Sequence, residues 1–495
     1  MEAFFSGFSV ILQPHYIGYM LAGVLMGTIL GFLPGLNAAT GIALMLPITY
    51  GMQPLDALVF LMSIYTGGLF SGAVTAILIN TPGSNANIAT TLDGYPMHLK
   101  GESERALGLS LMSSVIGGLI GTTCLLLIAG PMANLALRFG PAEMFMVAFF
   151  GLTVVGSLSD DVIKSLFSGL IGILLGTVGV NSMGIVRGTM GSIYLLEGVP
   201  LIPALIGFLA LPAIYELLKK DHNGAQIDDQ KVSLKKLLGG CKEVFRHPVQ
   251  VIVCALGGVL VGIMPAAGAS VAGILCYNQS KQWSKHPEKF GTGIPEGIIP
   301  CETANNASEG GALATMFVLG IPGSNATAMM LGAVVLMGWT PGPRMFSQYS
   351  DIIYTVFSSL FVQQFVMFIM GVGLCLLGAR LAKIPVKYLV PCIIMFTVVG
   401  AFSGRYTLFD PMLMLACSFL GWMMKKNNYP AMPLVLGLML GGIADDELMR
   451  VFQSFDSFWE IFTRPIVLVL TILSVLSVVM PIVMKLRREK KAAAQ

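Results

Sequence analysis

A polar pentapeptide occurs twice in the sequence, each time directly after a long apolar run. Its copies are Pro82-Gly83-Ser84-Asn85-Ala86 and Pro322-Gly323-Ser324-Asn325-Ala326. Proline and glycine interrupt a helix, while serine and asparagine cap the next helix or offer oxygen atoms to a ligand. Broken, polar backbone inside a membrane is stable only where it is buried in protein or lines a wet cavity. The paired motifs therefore predict the binding site of a secondary transporter, with two interfacial turns as the alternative.

A second group of polar side chains has helical spacing. Glu302, Asn305, Asn306 and Glu309 lie at positions i, i+3, i+4 and i+7, so on a helix they share one face. Carboxylate and amide oxygens on one face suit a hard cation such as Na⁺, or a proton relay if a carboxyl group is protonated. The alternative is a helix N-terminus at the membrane surface, capped by Glu302 and Thr303.

Further oxygen-bearing side chains lie beside predicted breaks in the chain. Asn37 and Thr40 follow a break after the first apolar segment, and Ser270 follows a similar break in the second half. The residues predicted to contact a substrate are Ser84, Asn85, Ala86, Ser324, Asn325, Ala326, Asn37, Thr40 and Ser270. The residues predicted to contact the ion, taken as Na⁺, are Thr81, Pro82, Gly83, Asn85, Pro322, Gly323, Asn325, Glu302, Asn305, Asn306, Glu309 and Thr315. Pro82, Gly83, Pro322 and Gly323 are expected to set the backbone, and for the serine, threonine and asparagine side chains helix capping is the competing role.

The amino-acid composition indicates which class of protein contains these residues. The 495 residues are 55% hydrophobic and 11% charged, with a mean hydropathy of +0.79, whereas soluble domains carry about 25% charged residues. This predicts an all-α polytopic membrane protein. Since one crossing takes about 20 apolar residues, we expect about 12 membrane segments, including broken or re-entrant helices. The small net charge of +3 and the absence of a basic patch interleaved with aromatic residues predict no nucleic-acid partner.

Four sequence landmarks recur in the same order in the two halves of the chain. The pairs are Gly31–Ala39 with Gly262–Ser270, Ser71–Thr75 with Gly310–Thr315, Thr153–Gly156 with Thr397–Gly400, and Pro200, Pro203 and Gly207 with Pro430, Pro433 and Gly437. The sequence therefore predicts a duplicated unit, with repeats at 1–220 and 248–450. A basic linker at 221–247 joins them, and 451–495 forms an extra transmembrane helix with a basic tail.

The charges predict how the two repeats are oriented. The basic loop from Lys219 and the tail Lys485–Lys491 are both expected in the cytoplasm. One crossing before the tail puts residue 450 outside, whereas the first repeat ends inside. The repeats are therefore predicted to be inverted, which is the architecture of alternating access around a central site. The positive pair Lys425 and Lys426 is the observation that competes with this count.

These motifs resemble those of a known transporter family. The paired pentapeptides, the run Gly31–Gly41 and the run Glu302–Ala307 make the chain similar, over essentially its whole length, to the TctA-like large membrane subunit of the tripartite tricarboxylate transporters. The resemblance implies a multi-pass protein of the bacterial inner membrane that imports citrate or related organic acids by cation symport, with Na⁺ as the expected ion. It also implies an elevator-type carrier with two partners, a small membrane subunit and a periplasmic solute-binding protein. Another carboxylate, H⁺ coupling and a homodimer of the complex remain open.

Other classes of function fit the sequence less well. A channel arises more naturally from symmetric subunits around a pore than from an antiparallel duplication. An intramembrane hydrolase needs a nucleophile and a base, but the five histidines fall in expected loops or at segment ends and no GxSxG motif occurs. We therefore expect no enzymatic activity, no catalytic residues and no cofactor besides the coupling ion. Because neither pentapeptide region contains Arg or Lys, an anionic substrate would be held by helix N-termini, backbone N–H groups and co-bound cations.

Overall fold

The computed structural model describes residues 2–33, 36–136, 138–157, 162–212, 214–215, 233–264, 268–339, 341–381 and 386–492. Pro34, Gly35, Pro265 and residues 221–232 of the predicted basic linker lie outside these residues. Within the described part, the chain is almost entirely helical, and its two short strands, β1 (Gly179–Val180) and β2 (Val186–Arg187), pair antiparallel. The predicted all-α class is therefore confirmed.

The first half of the chain forms nine helices among the described residues. They are α1 (Glu2–Ile11), α2 (Pro14–Phe32), α3 (Ala38–Met45), α4 (Pro54–Ile79), α5 (Ile88–Leu99), α6 (Ser103–Ala136), α7 (Pro141–Ser157), α8 (Val162–Gly176) and α9 (Leu201–Leu205). A 3₁₀ turn (Asn85–Asn87) leads into α5, and a π-helical turn (Ile206–Ala210) continues α9.

The second half contains a comparable series. Its described helices are α10 (Leu234–Glu243), α11 (Pro248–Ile263), α12 (Gly268–Trp283), α13 (Pro295–Leu319), α14 (Asn325–Leu336), α15 (Pro343–Gln348), α16 (Ser350–Leu381), α17 (Val386–Ser403), α18 (Phe409–Lys426), α19 (Ala431–Ser454) and α20 (Pro465–Ala492). Several helices begin with proline, which fits the first helical position because its missing N–H group has no intrahelical acceptor there.

Four of the described helices are long and apolar enough to cross a membrane. They are α2, α4, α6 and α16. A fifth crossing results if Leu234–Arg246 and Pro248–Ile263, which meet at 82°, are counted as one broken span. Several shorter apolar helices accompany them. The chain is thus a multi-pass membrane protein, and the total of about 12 segments stays a prediction.

Two buried helices, α4 and α13, form the centre of the protein. The apolar stretch of α4 is buried completely, and so is every residue of α13 from Gly297 to Val318. Helix α4 packs against α2 and α16, while α13 packs against α6, α11 and α12. The contact between α13 and α6 is close because a Cβ atom at Gly310 would lie 2.0 Å from the carbonyl oxygen of Gly121. Small residues therefore determine how these helices cross.

One local prediction is wrong. The sequence Asp93-Gly94-Tyr95-Pro96 predicts a turn, but these residues lie inside α5. The buried carboxylate of Asp93 accepts hydrogen bonds from the backbone N–H groups of Gly291, Gly293 and Ile294, 2.7 to 3.1 Å away. The Asp93 carboxylate therefore bonds to the backbone of a distant segment and does not form a turn with its own backbone.

Candidate functional site

The two pentapeptides meet at one cavity. Its volume is about 120 Å³, and its walls come from both halves of the chain. The lining residues are Asn37, Ala38, Ala39, Tyr65, Gly68, Leu69, Ser84, Asn85, Ala86, Gly268, Ala269, Ser270, Ser324, Asn325 and Ala326. None of these residues carries a charge, so the polar character of the cavity comes from hydroxyl, amide and backbone groups.

Each pentapeptide begins at a helix end with left-handed backbone. Helix α4 is followed by Asn80 with φ of 52°, and α13 is followed by Gly320 with φ of 71°. The chain then folds back on helices of its own half. A Cβ atom at Gly83 would lie 2.1 Å from the carbonyl oxygen of Gly31, and one at Gly323 would lie 2.5 Å from that of Gly262. Glycine is required at both positions for this close approach.

Helix N-termini converge on the cavity. Helices α3, α12 and α14 begin at the lining residues Ala38, Gly268 and Asn325, and the 3₁₀ turn before α5 begins at Asn85. The first turn of a helix has backbone N–H groups without intrahelical acceptors, and the helix dipole makes that end positive. Four such ends around an uncharged cavity form a site that favours an anion.

Capping hydrogen bonds hold these N-termini in place. The side-chain oxygen of Asn37 accepts the Thr40 N–H at 3.0 Å and the Thr40 hydroxyl at 3.2 Å. The Ser324 hydroxyl oxygen accepts the Thr327 N–H at 3.2 Å, and the Thr327 hydroxyl oxygen accepts the Ser324 N–H at 2.9 Å. Asn37 and Ser324 therefore cap helices and line the cavity at the same time.

The two pentapeptide asparagines differ from these caps. Asn85 and Asn325 are exposed within the cavity, whereas Ser84 and Ser324 are half-buried. Among the described residues, neither asparagine side chain has a hydrogen-bond partner. Their amide groups are therefore available to a bound molecule.

Some of the predicted substrate and ion residues line the cavity, and others lie behind its wall or in the chain breaks before it. All predicted substrate residues line the cavity except Thr40, which is buried behind Asn37. Thr81, Pro82, Gly83, Pro322 and Gly323 form the breaks just before the lining residues. The Thr315 hydroxyl donates to the carbonyl oxygen of Ala312 at 3.1 Å inside α13, so this side chain does not line the cavity either.

The prediction missed Tyr65. This residue lies on the buried helix α4, lines the cavity, and its hydroxyl is 3.1 Å from the Ser324 hydroxyl oxygen. A tyrosine in the middle of an apolar run was the available signal, because a buried Tyr hydroxyl needs a polar partner.

Glu302 lies behind the cavity wall, fully buried on α13. One carboxylate oxygen accepts hydrogen bonds from the Thr90 hydroxyl and from the Asn87 amide, the latter at 3.4 Å. The other oxygen accepts the Ser114 hydroxyl at 3.1 Å. The alternative in which Glu302 caps a helix at the membrane surface is wrong, because α13 begins at Pro295.

Glu309 has a different set of neighbours two turns along α13. It accepts a hydrogen bond from the Thr66 hydroxyl at 2.8 Å, and that hydroxyl also lies 3.3 Å from the side-chain oxygen of Gln363. Asn305 and Asn306 donate to the carbonyl oxygens of Leu69 and Glu302, at 3.3 and 3.0 Å. The four polar residues with helical spacing thus share one helix, as expected, but none of these four lines the cavity.

The chain has relatives among known families and proteins. The profile of the Tripartite tricarboxylate transporter TctA family matches residues 17–436. The chain belongs to this family. The TctA-family chain is similar to an Agrobacterium vitis protein of 52.8 kDa from the TAR-I ttuC′ 3′ region, which is described as uncharacterized. The two are 33% identical over 449 residues, and the match covers 90% of this chain and 88% of that protein. A second Agrobacterium vitis protein, in the TAR-II ttuC′ 3′ region, is 28% identical over 234 residues, covering 47% of this chain and 97% of its own length.

No solved structure matches the TctA-family chain. Family membership gives it a role in transport, as a subunit of a tripartite transporter. The resemblance expected from the pentapeptides is confirmed by the profile, which spans both copies.

Proposed function

We propose that this protein is the transport subunit that moves citrate-like tricarboxylates, or related organic acids, across the bacterial inner membrane by Na⁺ symport. The observation that carries the proposal is the uncharged cavity at which four helix N-termini converge. Helix N-termini and free amide groups bind carboxylates without a fixed positive charge. A cation bound beside the substrate adds electrostatic attraction for the carboxylates. Because the occupancy of the cation site depends on the ion concentration, substrate binding then responds to the ion gradient.

The size of the cavity supports a small substrate. Its volume of about 120 Å³ is below the roughly 300–1,000 Å³ of pockets for drug-sized ligands. The exposed amides of Asn85 and Asn325 stand at equivalent positions of the two pentapeptides. A small organic acid with more than one carboxylate suits such a two-sided arrangement.

We extend the proposal to two inverted repeats and an elevator-type movement. Matching contacts support it. The Gly83 and Gly323 loops pack on Gly31 and Gly262, which were paired from the sequence. Near the ends of the repeats, Cβ atoms at Gly207 and Gly437 would lie 2.5 Å from the Met414 carbonyl oxygen and 2.2 Å from that of Gly169. Each of these glycines therefore packs closely on a helix of the other half.

The proposed partners follow from the family. A tripartite transporter has two further components, and we propose that these are a small membrane subunit and a periplasmic solute-binding protein. The binding protein would deliver the organic acid to the outer face of this subunit.

The test is uptake of labelled citrate by proteoliposomes that hold this protein, its small membrane subunit and its binding protein. We expect uptake that needs both an inward Na⁺ gradient and the binding protein. Asn85→Ala and Asn325→Ala should abolish uptake without loss of membrane insertion. Asn134→Ala, an exposed position on α6, is the matched control. Citrate, tartrate-sized and other carboxylates are compared, and failure with all of them would refute the proposal.

A second candidate is H⁺ coupling. It is favoured by two buried carboxylates, Glu302 and Glu309, that take part in none of the ion pairs between described residues. A buried carboxyl group without a countercharge readily holds a proton. Uptake driven by a pH gradient in Na⁺-free buffer would favour this alternative, whereas uptake that responds only to Na⁺ would exclude it.

A further inference from the structure

Glu302 joins elements from both halves of the chain. It lies on α13, and its hydrogen-bond donors are Thr90 on α5, Ser114 on α6 and Asn87 just before α5. All four side chains are fully buried. The donors are neutral, so a negative charge on Glu302 is not balanced by any of them.

An unbalanced carboxylate at this depth is unfavourable. Removing an ionised group from water costs several kcal/mol, on the order of the whole stability of a domain, unless a counterion accompanies it. The hydroxyl groups of Thr90 and Ser114 can rotate and present lone pairs to a cation, because each hydroxyl is both donor and acceptor. Together with the carboxylate they offer the oxygen ligands that hard cations prefer.

Unused oxygen atoms lie on the same stretch of α13. The side-chain oxygens of Thr303, Asn305 and Asn306 are buried without a hydrogen-bond partner among the described residues. Buried polar atoms are normally satisfied, so such a group points to an absent water or ion. Asn306 also donates to the carbonyl oxygen of Glu302 at 3.0 Å, which keeps its amide beside this turn.

Asn87 connects Glu302 to the cavity. Its amide nitrogen lies 3.4 Å from both the Glu302 carboxylate and the Leu69 carbonyl oxygen, while its amide oxygen accepts the Ser84 hydroxyl at 2.9 Å. Ser84 and Leu69 both line the cavity. The amide can donate to an ionised Glu302 only if its oxygen faces Ser84. Asn87 therefore bridges the Glu302 carboxylate and a residue of the cavity wall.

We propose that Glu302, with the hydroxyl groups of Thr90 and Ser114, binds the coupling Na⁺ behind the cavity wall, and that Asn87 is the positioning residue that couples this ion to Ser84. The proposal rests on the proposed function and assigns the ion to one of the two buried carboxylates. A Na⁺ held by Glu302 would fix the carboxylate that accepts the Asn87 amide, and would thereby hold Asn87 and Ser84 in one orientation. Binding of Na⁺ and of the organic acid then favour each other, as reciprocal coupling requires.

The first experiment measures Na⁺ binding without substrate. Purified full-length protein in lipid nanodiscs is titrated with ²²Na⁺ at constant ionic strength, with K⁺ as the replacement ion. We expect saturable binding by the wild type and at least about tenfold weaker binding by Glu302→Gln, which keeps the side-chain shape but removes the charge. Glu104→Gln, a buried carboxylate at the start of α6, is the matched control.

A second variant guards against misfolding. If Glu302→Gln does not yield folded protein, Ser114→Ala removes one oxygen ligand of the proposed site and should weaken Na⁺ binding about tenfold, or about 1.4 kcal/mol. Wild-type Na⁺ affinity in the folded Glu302 or Ser114 variant would overturn the proposal. So would loss of Na⁺ binding in Glu309→Gln with Glu302→Gln unaffected.

The second experiment tests the coupling. In Asn87→Ala we expect Na⁺ affinity within about threefold of the wild type, while the fall in the substrate KM caused by Na⁺ disappears. A merely structural role of Asn87 would instead lower stability and leave the Na⁺ dependence of KM intact. Because Na⁺ binding is measured without substrate, the ion site can be supported even if no carboxylate is transported, so the two failures are distinguishable.

Discussion

At the scale of single residues, the cavity is held by side chains that serve two roles. Asn37 and Ser324 cap helices with their side-chain oxygens, and both residues line the cavity. Tyr65 reaches Ser324 from α4, and it is fully buried except for the cavity it lines. A position in the cavity wall and helix capping are therefore not alternatives for these residues, although the sequence posed ligand contact and capping as alternatives.

Tyr65→Phe tests whether this hydroxyl orients Ser324. The change removes one hydrogen bond and keeps the ring, and a neutral hydrogen bond contributes about 1 kcal/mol. We expect the substrate KM in proteoliposome uptake to rise about fivefold. Tyr349→Phe, whose ring stacks on Trp339 outside the cavity, serves as the control. An unchanged KM in Tyr65→Phe would show that Ser324 is oriented by Thr327 alone.

Asp93→Asn tests the buried contact between α5 and the segment before α13. The carboxylate accepts three backbone N–H groups and the Tyr277 hydroxyl, the latter at 2.9 Å. An asparagine amide would oppose some of these donors, so we expect a loss of about 1–3 kcal/mol in the free energy of unfolding. Thermal unfolding in detergent measures it, with the exposed Asp351→Asn as control. Equal midpoints for Asp93→Asn and wild type would contradict this reading of the contact.

At the scale of the elements, the sequence predicts the features that depend on local pattern and misses those that depend on distant contacts. The long apolar runs gave α2, α4 and α6 because hydropathy is a local property, and Pro82 and Pro322 gave the breaks for the same reason. The turn expected at Asp93 failed because its partners lie about 200 residues away, and no local signal reports them. Likewise the helical spacing of Glu302 and Glu309 was correct, but their separate neighbours depend on how α5, α6 and α4 pack.

The crossing of α6 and α13 gives a test at this scale. Gly310 packs against Gly121, so Gly310→Ala would force the helices apart. Overpacking of this kind costs about 1–3 kcal/mol, and we expect a lower unfolding midpoint and reduced uptake. Gly373→Ala on α16 is the matched control, because nothing lies within 4 Å of its Cβ position. If both variants unfold at the same temperature, the close contact does not contribute to stability.

At the scale of the whole molecule, the proposal requires the cavity to open to each side of the membrane in turn. Ala326→Cys places a thiol in the cavity wall, whereas Cys301 and Cys375 are fully buried. In inside-out and right-side-out vesicles, we expect an impermeant thiol reagent to label Ala326→Cys from both sides and the substrate to slow labelling. The wild type gives the background. Labelling from one side only, under all ion and substrate conditions, would contradict alternating access.

The contact of Asp93 with Gly291, Gly293 and Ile294 also constrains how a carrier of this design would work. It links α5, which follows the first pentapeptide, to the segment before α13, which precedes the second. These hydrogen bonds therefore connect the two pentapeptide regions that meet at the cavity. A solute held between them would meet the same chemical groups at either face of the membrane. The direction of net flow would then follow the ion and solute gradients together, and vesicles preloaded with the organic acid should release it faster when the Na⁺ gradient points outward.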